Sequence, residues 1–209
     1  MLDPFVARTV AGLIALLYIV GVILIQCQGK SPIGRSHEFR AKDNPPRALQ
    51  ALWEATFLIP NLYPFGVALL PAWTYGTWMN VAFPFDFVAQ LVGLLLWGLG
   101  GGLAIWSARV LGRYMVVEIG VQKDHELITA GPYARIRHPT YVAVMCMLGG
   151  LALLFLSTVL AAFFVLGAFL ANYRARKEER LLASEAGFGD AYRVYMARTG
   201  RFLPRLRRP

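Results

Sequence analysis

The stretch K-D-H-E-L-I-T-A-G-P-Y-A-R-I-R-H-P-T-Y, residues 123–141, packs polar, aromatic and turn-forming side chains immediately ahead of an apolar run. Pro139 opens that run where a helix tolerates proline best, because first-turn N–H groups lack intrahelical partners anyway. Those N–H groups, with His138 and Arg137, suit an anionic group, and the helix dipole favours it. The same residues also suit a loop turning into a membrane helix, with Arg135 and Arg137 as topological anchors. A second cluster, Arg174, Arg176, Lys177, Glu178, Glu179 and Arg180, follows another apolar run. Adjacent carboxylates do not share a helical face, so only one of Glu178 and Glu179 can point at a given ligand. There it would accept bonds from ribose hydroxyls or an amine and attract a cation. The competing reading is a solvated helix on which acids balance bases.

Both clusters need membrane elements to position them. The chain has 209 residues, 57% hydrophobic and 16% charged, with a mean hydropathy of +0.51; that is the composition of a membrane protein and not of a soluble domain. Two cysteines, Cys27 and Cys146, both in apolar segments, exclude a disulfide framework or a zinc cluster. The net charge of +9 lies between apolar runs, which argues against nucleic acid as partner. Crossing the hydrocarbon core takes about 20 apolar residues. Five stretches qualify or nearly so: 9–27, 48–71 with Pro60, Pro64 and Glu54 inside it, 85–107, and the pair 139–156 and 158–173. The last pair, joined by Ser157 and Thr158, reads as a helical hairpin. The expected fold is therefore all-α and polytopic, with about five transmembrane helices.

All but Arg8 of the 21 basic residues then fall on one side, in loops 28–47 and 108–138 and in the tail from Arg174. Segment 72–83 and the 157/158 turn carry no charge. The positive-inside rule accordingly places the N-terminus outside and the C-terminus in the cytoplasm. The first helix does not read as a cleaved signal peptide, since more basic residues follow it than precede it and no small-x-small site closes it.

The ordered set H-E-L-I-T-A-G-P-Y-x-x-x-R-H-P-T-Y (125–141), an apolar hairpin, R-x-R-K-E-E-R-L-L (174–182), F-G-x-x-Y-x-x-Y (188–195) and R-F-L-P resembles the isoprenylcysteine carboxyl methyltransferase family, with its phospholipid methyltransferase relatives. The resemblance covers roughly residues 110–205 and is far more specific than any one piece. It implies an integral-membrane methyltransferase using S-adenosylmethionine (SAM), with S-adenosylhomocysteine as product. Cofactor binding would fall to His125, Glu126, Leu127 and Ile128, then Tyr133, then His138, Pro139, Thr140 and Tyr141, with Glu178 closing the site. Arg174 matches the position that contacts the acceptor. The chain would divide into an acceptor-side part, 1–108, and a methyltransferase core, 109–209. The acceptor would be a lipophilic small molecule or prenylated substrate reached from the membrane lipids, and the membrane a bacterial inner membrane or the endoplasmic reticulum, with the site facing the cytoplasm.

Two departures stand out. Ala143 replaces a glycine common in the family, and the tail holds about two more residues between E-E and F-G. Glu54, an ionisable group inside a membrane segment, is a candidate base or headgroup contact; the alternative pairs it with Arg47 near the interface. Gly98 and Gly102 have the small-xxx-small spacing of close helix packing, while Gly98 with Gly100 matches a G-x-G that the phospholipid methyltransferases place near SAM. Trp53, Trp73, Trp78 and Tyr75 read as an interfacial belt, and Arg205, Arg207 and Arg208 as contacts to anionic headgroups. The competing function classes are a phospholipid or small lipophilic amine or thiol methyltransferase, and a non-enzymatic membrane binding protein or transporter. A transporter more often carries polar residues deep in several helices, and here these are few.

Overall fold

The computed structural model describes residues 1–27, 38–116 and 118–205. Lys30, Arg35, Arg207 and Arg208 of the expected basic segments, and the side chain of Cys27, lie outside the described residues. The helices are α1 (Pro4–Cys27), α2 (Arg47–Leu69), α3 (Pro71–Thr74), α4 (Asp86–Leu111), α5 (Pro139–Phe155), α6 (Thr158–Leu182) and α7 (Asp190–Arg198). Two short strands, β1 (Phe39–Lys42) and β2 (Gly120–Gln122), pair antiparallel. The chain is mostly helical, at 69%, and the all-α expectation is corrected by that one ribbon. It pairs chain segments from opposite sides of two membrane-length helices. A Cβ at Gly120 would lie 2.4 Å from the Phe39 ring, so any larger residue there would have to displace that ring.

Among the described residues, three helices are long and apolar enough to cross a membrane, in the ranges Pro4–Gly21, Asp86–Tyr114 and Thr158–Leu182. α5 is apolar but only 17 residues long, about 26 Å at ~1.5 Å per residue against a core of about 30 Å. α2 has the length but carries Pro60, Pro64, Asn61 and Thr56 on its buried face. Each proline removes one i→i−4 bond; nearby, the side chains of Thr56 and Asn61 donate to Leu52 O and Phe57 O at 2.6 Å.

The tightest packing joins α4 to α5 through glycine. A Cβ on Gly93 would lie 2.6 Å from Gly150 O, and one on Gly100 2.8 Å from Ala143 O. Gly98 and Gly102 meet nothing within 4 Å, which corrects the expected seam: the close approach runs along Gly93 and Gly100, seven residues apart on one face. Ala143 is fully buried against it.

At one end of the bundle the hairpin turn is clasped by the 75–85 loop. Leu156 adopts a left-handed conformation (φ 49°), the Ser157 side chain caps α6 by accepting from Leu160 N, and Thr158 N donates to Met79 O at 2.9 Å. Asn80 Nδ2 donates to Phe155 O and Gln90 Nε2 to Leu154 O, both at 2.8 Å. Tyr75, expected at an interface, is buried here instead, edge-on to Phe155 and bonded to Gln90. Trp73 and Trp78 stay exposed. Met1 and Leu2 reach Asp86 and Gln90 at the same end. The ribbon, the 112–138 loop and the polar end of α6 lie at the other. α6 continues as helix past Tyr173, the end of its apolar run, to Leu182; this rigid extension carries Arg174, Glu178 and Glu179 out of the apolar layer.

Candidate active site

His138 is the residue ahead of α5's first turn, where Pro139 fixes the helical start. Its backbone N donates to Arg201 O at 3.1 Å, and the Arg137 N to Gly200 O at 2.8 Å, so the chain after α7 lies against this corner. A Cβ on Gly200 would meet Leu203 O at 1.6 Å, which makes glycine mandatory there. The His138 ring is 4% exposed. It stacks on Tyr141 with ring centres 5.3 Å apart and 5° between planes. Its Nδ1 lies 3.7 Å from Glu178 Oε2 and its Nε2 3.3 Å from Glu179 Oε1.

The two carboxylates divide the work. Glu179, buried, accepts from Arg137 Nε at 2.8 Å and from Arg201 Nη2 at 2.5 Å and Nε at 3.1 Å. Arg137 Nη1 further donates to Met196 O at 3.2 Å and to Thr199 O. This is a closed internal network that fastens α5's start and the C-terminal segment to α6. Glu178, one position on, is a third exposed and accepts one bond, from the Tyr141 hydroxyl at 3.0 Å. It is the carboxylate left open to a ligand.

Arg174 lies one turn before Glu178 and is 3% exposed. Its guanidinium sits over the Trp53 ring, 5.3 Å from the centre, and Trp53 meets Tyr141 edge-on at 5.5 Å. Trp53 is thus drawn out of the expected interfacial belt and into the cluster. Glu54 is not. It is exposed and accepts from Gln50 Nε2 at 3.0 Å, its partner being Gln50 in place of the expected Arg47. One residue along α2 rotates the side chain by about 100°, which is why position 53 enters the site and position 54 flanks it.

The anion pocket expected from His138 and Arg137 is corrected by the same contacts. Arg137 is engaged by Glu179 and two carbonyls and His138 is flanked by both glutamates, so what this corner leaves open to a ligand is the Glu178 carboxylate, an acceptor. Tyr133, on the 3-10 turn Gly131–Ala134, is buried, and its backbone O accepts from the Tyr195 hydroxyl at 2.6 Å. Burial, reinforced by the Glu178 charge, holds the Tyr133 hydroxyl well above the usual phenol range. Burial pushes the Tyr195 hydroxyl up to about 12. Thr140 follows Pro139 in the first turn of α5 and is half-buried.

His125 belongs to a separate group under the ribbon. Its ring stacks on Tyr114 at 4.4 Å and meets Phe188 edge-on at 5.3 Å. Desolvation, with the nearby Arg40 charge, lowers its pKa to about 4, so the ring is neutral at pH 7. Its Nδ1 is buried with no hydrogen-bond partner among the described residues. Glu126 is exposed, and Leu127 and Ile128 are half-buried. The ribbon is strapped to α6 and the α6–α7 turn: Arg40 Nε and Nη2 donate to Ala186 O at 2.9 Å and Gly187 O at 2.5 Å, and Lys177 pairs with Asp43. Trp53, Arg201, Tyr114 and Phe188 are the contributors that sequence reasoning missed. The R-F-L-P motif was the one signal pointing to Arg201.

Residues 93–184, a little under half of the chain, match the isoprenylcysteine carboxyl methyltransferase (ICMT) family. The resemblance read from the motifs is borne out over that segment. Among curated proteins, the chain is 38% identical over 109 residues to the nickel-cobalt-cadmium resistance protein NccN of Alcaligenes xylosoxydans xylosoxydans, covering 51% of this chain and 49% of that one. It is 36% identical over 108 residues to the cobalt-zinc-cadmium resistance protein CzcN of Cupriavidus metallidurans, covering 51% and 48%. The chain thus matches these curated relatives over about half of their length.

Proposed function

We propose that this chain is an integral-membrane, SAM-dependent methyltransferase acting on a lipophilic acceptor, with its site at the basic, cytoplasmic end of the bundle. The observation that carries the reading is the cluster Glu178, Tyr141, His138 and Arg174 within a segment matching a methyltransferase family. SAM supplies an electrophilic methyl on a positively charged sulfur together with an ammonium, a carboxylate and a ribose. Glu178 has free acceptor capacity for hydroxyls or the ammonium, and the Tyr141 and His138 rings offer faces to positive charge. The unpartnered His125 Nδ1 is a buried polar atom with room for a hydrogen-bond partner, in the segment that the resemblance assigns to the cofactor.

The chain's own part in the reaction is positioning. Direct displacement needs alignment and exclusion of water more than acid–base help. Glu179 fixes His138 and both arginines; Tyr141 is held by Glu178 on one side and Trp53 on the other; Arg174, stowed over Trp53, is the cation placed for an anionic acceptor group. A carboxylate acceptor fits this arrangement better than an amine, because the expected base, Glu54, sits outside the cluster. NccN and CzcN are named for metal resistance, and no group of metal-ligating side chains is found among the described residues. The test is calorimetric binding of SAM and S-adenosylhomocysteine to the detergent-purified chain and to His138→Asn and Glu178→Gln. Micromolar binding lost in the variants is expected; no binding by a folded wild type overturns the reading in favour of a non-enzymatic binding protein.

A further inference from the structure

The far face of α6 carries a feature that methyl transfer does not use. Between α6 and the segment around α7 lies a groove of about 450 Å³ lined by Arg176, Glu179, Arg180, Ala183, Met196 and Arg201. Its electrostatics are one-signed. Glu179 is neutralised from the inside by Arg137 and Arg201, so it presents no net negative charge to the groove. Arg176 and Arg180 are exposed, stand one turn apart, and form no ion pair among the described residues. Two adjacent, uncompensated guanidiniums over an apolar floor of Ala183 and Met196 make a site for a phosphate ester.

The same helix face says which phosphate. Val165 and Phe169, 66% and 71% exposed, precede Arg176 and Arg180 at helical spacings that put all four side chains on one face. From Phe169 to Arg180 is about 16 Å along the axis at ~1.5 Å per residue. An exposed apolar track therefore runs along α6 and ends in guanidiniums where the apolar run gives way to polar sequence, the profile of an acyl chain below its headgroup. We infer that the α6–α7 groove binds the phosphodiester of an anionic phospholipid, with an acyl chain along Val165 and Phe169. The inference rests on the membrane-embedded reading and is independent of methyl transfer.

The test uses the full chain in dodecyl maltoside, with bound lipid read by native mass spectrometry after adding dioleoylphosphatidylglycerol, dioleoylphosphatidylcholine or inorganic phosphate. Phosphatidylglycerol should be preferred over phosphatidylcholine by about twenty-five-fold, from two guanidiniums contributing about fivefold each. Arg176→Gln/Arg180→Gln should lose that preference. Arg47→Gln/Arg109→Gln, which removes equal charge from exposed sites at the same end, should keep it. Phe169→Ala should reduce binding of dioleoyl- but not dihexanoylphosphatidylglycerol. Equal loss in both double variants means diffuse charge attraction and overturns the site. Competition by inorganic phosphate at concentrations equal to the lipid, or chain-length selectivity intact in Phe169→Ala, overturns the lipid assignment. SAM binding in Arg176→Gln/Arg180→Gln should match the wild type, which separates failure here from failure of the proposed reaction.

Discussion

Glu178 and Glu179 are consecutive residues of α6, about 100° apart around its axis, and should fail in opposite ways when neutralised. Glu179→Gln keeps the volume but removes the anion between Arg137 and Arg201, with contacts of 2.8 Å and 2.5 Å, beside a buried His138. Removing one partner of a buried ion pair costs about 3–5 kcal/mol, and the partial exposure of Arg201 places this case near the lower figure. At about 2–4 °C per kcal/mol for a chain this size, the unfolding midpoint should fall by roughly 6–12 °C. Glu178→Gln loses part of one hydrogen bond to Tyr141 at a third-exposed group, a loss of about 1 kcal/mol and roughly 2–4 °C. SAM binding should show the reverse order, abolished in Glu178→Gln and retained, below the lowered midpoint, in Glu179→Gln. The assay is differential scanning fluorimetry in detergent alongside calorimetry. Equal midpoints for the two variants, or full binding by Glu178→Gln, would refute the division of roles.

Four further outcomes follow from the geometry. His125 has its folded pKa lowered to about 4 from 6.5, so its contribution to stability is complete above pH 6.5 and is lost as pH falls towards about 4; melting midpoints for His125→Phe, which keeps the stack on Tyr114, should flatten in that window, and an unchanged slope would assign the loss to another group. Gly100→Ala should destabilise by about 1–3 kcal/mol because its Cβ meets backbone at 2.8 Å, whereas Gly98→Ala, opening onto free space, should be neutral or stabilising by up to about 1 kcal/mol; denaturation in mixed micelles compares them. Trp53→Ala, which uncovers Arg174, should raise the KM for a carboxylate acceptor while leaving calorimetric SAM affinity unchanged, and Glu54→Ala should alter neither. Arg40→Ala, which removes two bonds to the α6–α7 turn, should speed proteolytic cleavage within residues 38–44.

Much of this arrangement is legible in the sequence, because a membrane forces its pattern onto it. The apolar run 85–107 became α4 over Asp86–Leu111, and the hairpin 139–156/158–173 became α5 and the apolar part of α6. Three features escaped for separable reasons. The ribbon pairs Phe39–Lys42 with Gly120–Gln122 across two long helices, and strands of four and three residues with such separation leave no periodic trace. The helix seam runs through Gly93 and Gly100, although Gly98 and Gly102 are the pair with the small-xxx-small spacing, since such a motif does not state which face has a neighbour. Trp53 fits the description of a belt residue equally well; only the approach of α2 to α6 decides that it meets Arg174.

That last contact has a consequence for the reaction proposed. The segment matching the methyltransferase family, residues 93–184, contains Tyr141, His138, Glu178 and Arg174. Trp53 lies outside it on α2, as do Arg40 and Asp43 on and beside the ribbon, and Arg201 in the tail. In the reaction proposed, the residues assigned to the methyl donor are therefore contained in the matched segment, and the aromatic surface beside Arg174, the residue assigned to the acceptor, is not. Two proteins sharing residues 93–184 but differing in α2 would keep the donor chemistry and change the groove in which the nucleophile is held. Exchanging α2 between this chain and a relative should thus move acceptor preference while SAM affinity stays constant. If SAM affinity moved with the exchanged helix and acceptor preference did not, Trp53 would belong to the donor site and Arg174 would have to be reassigned with it.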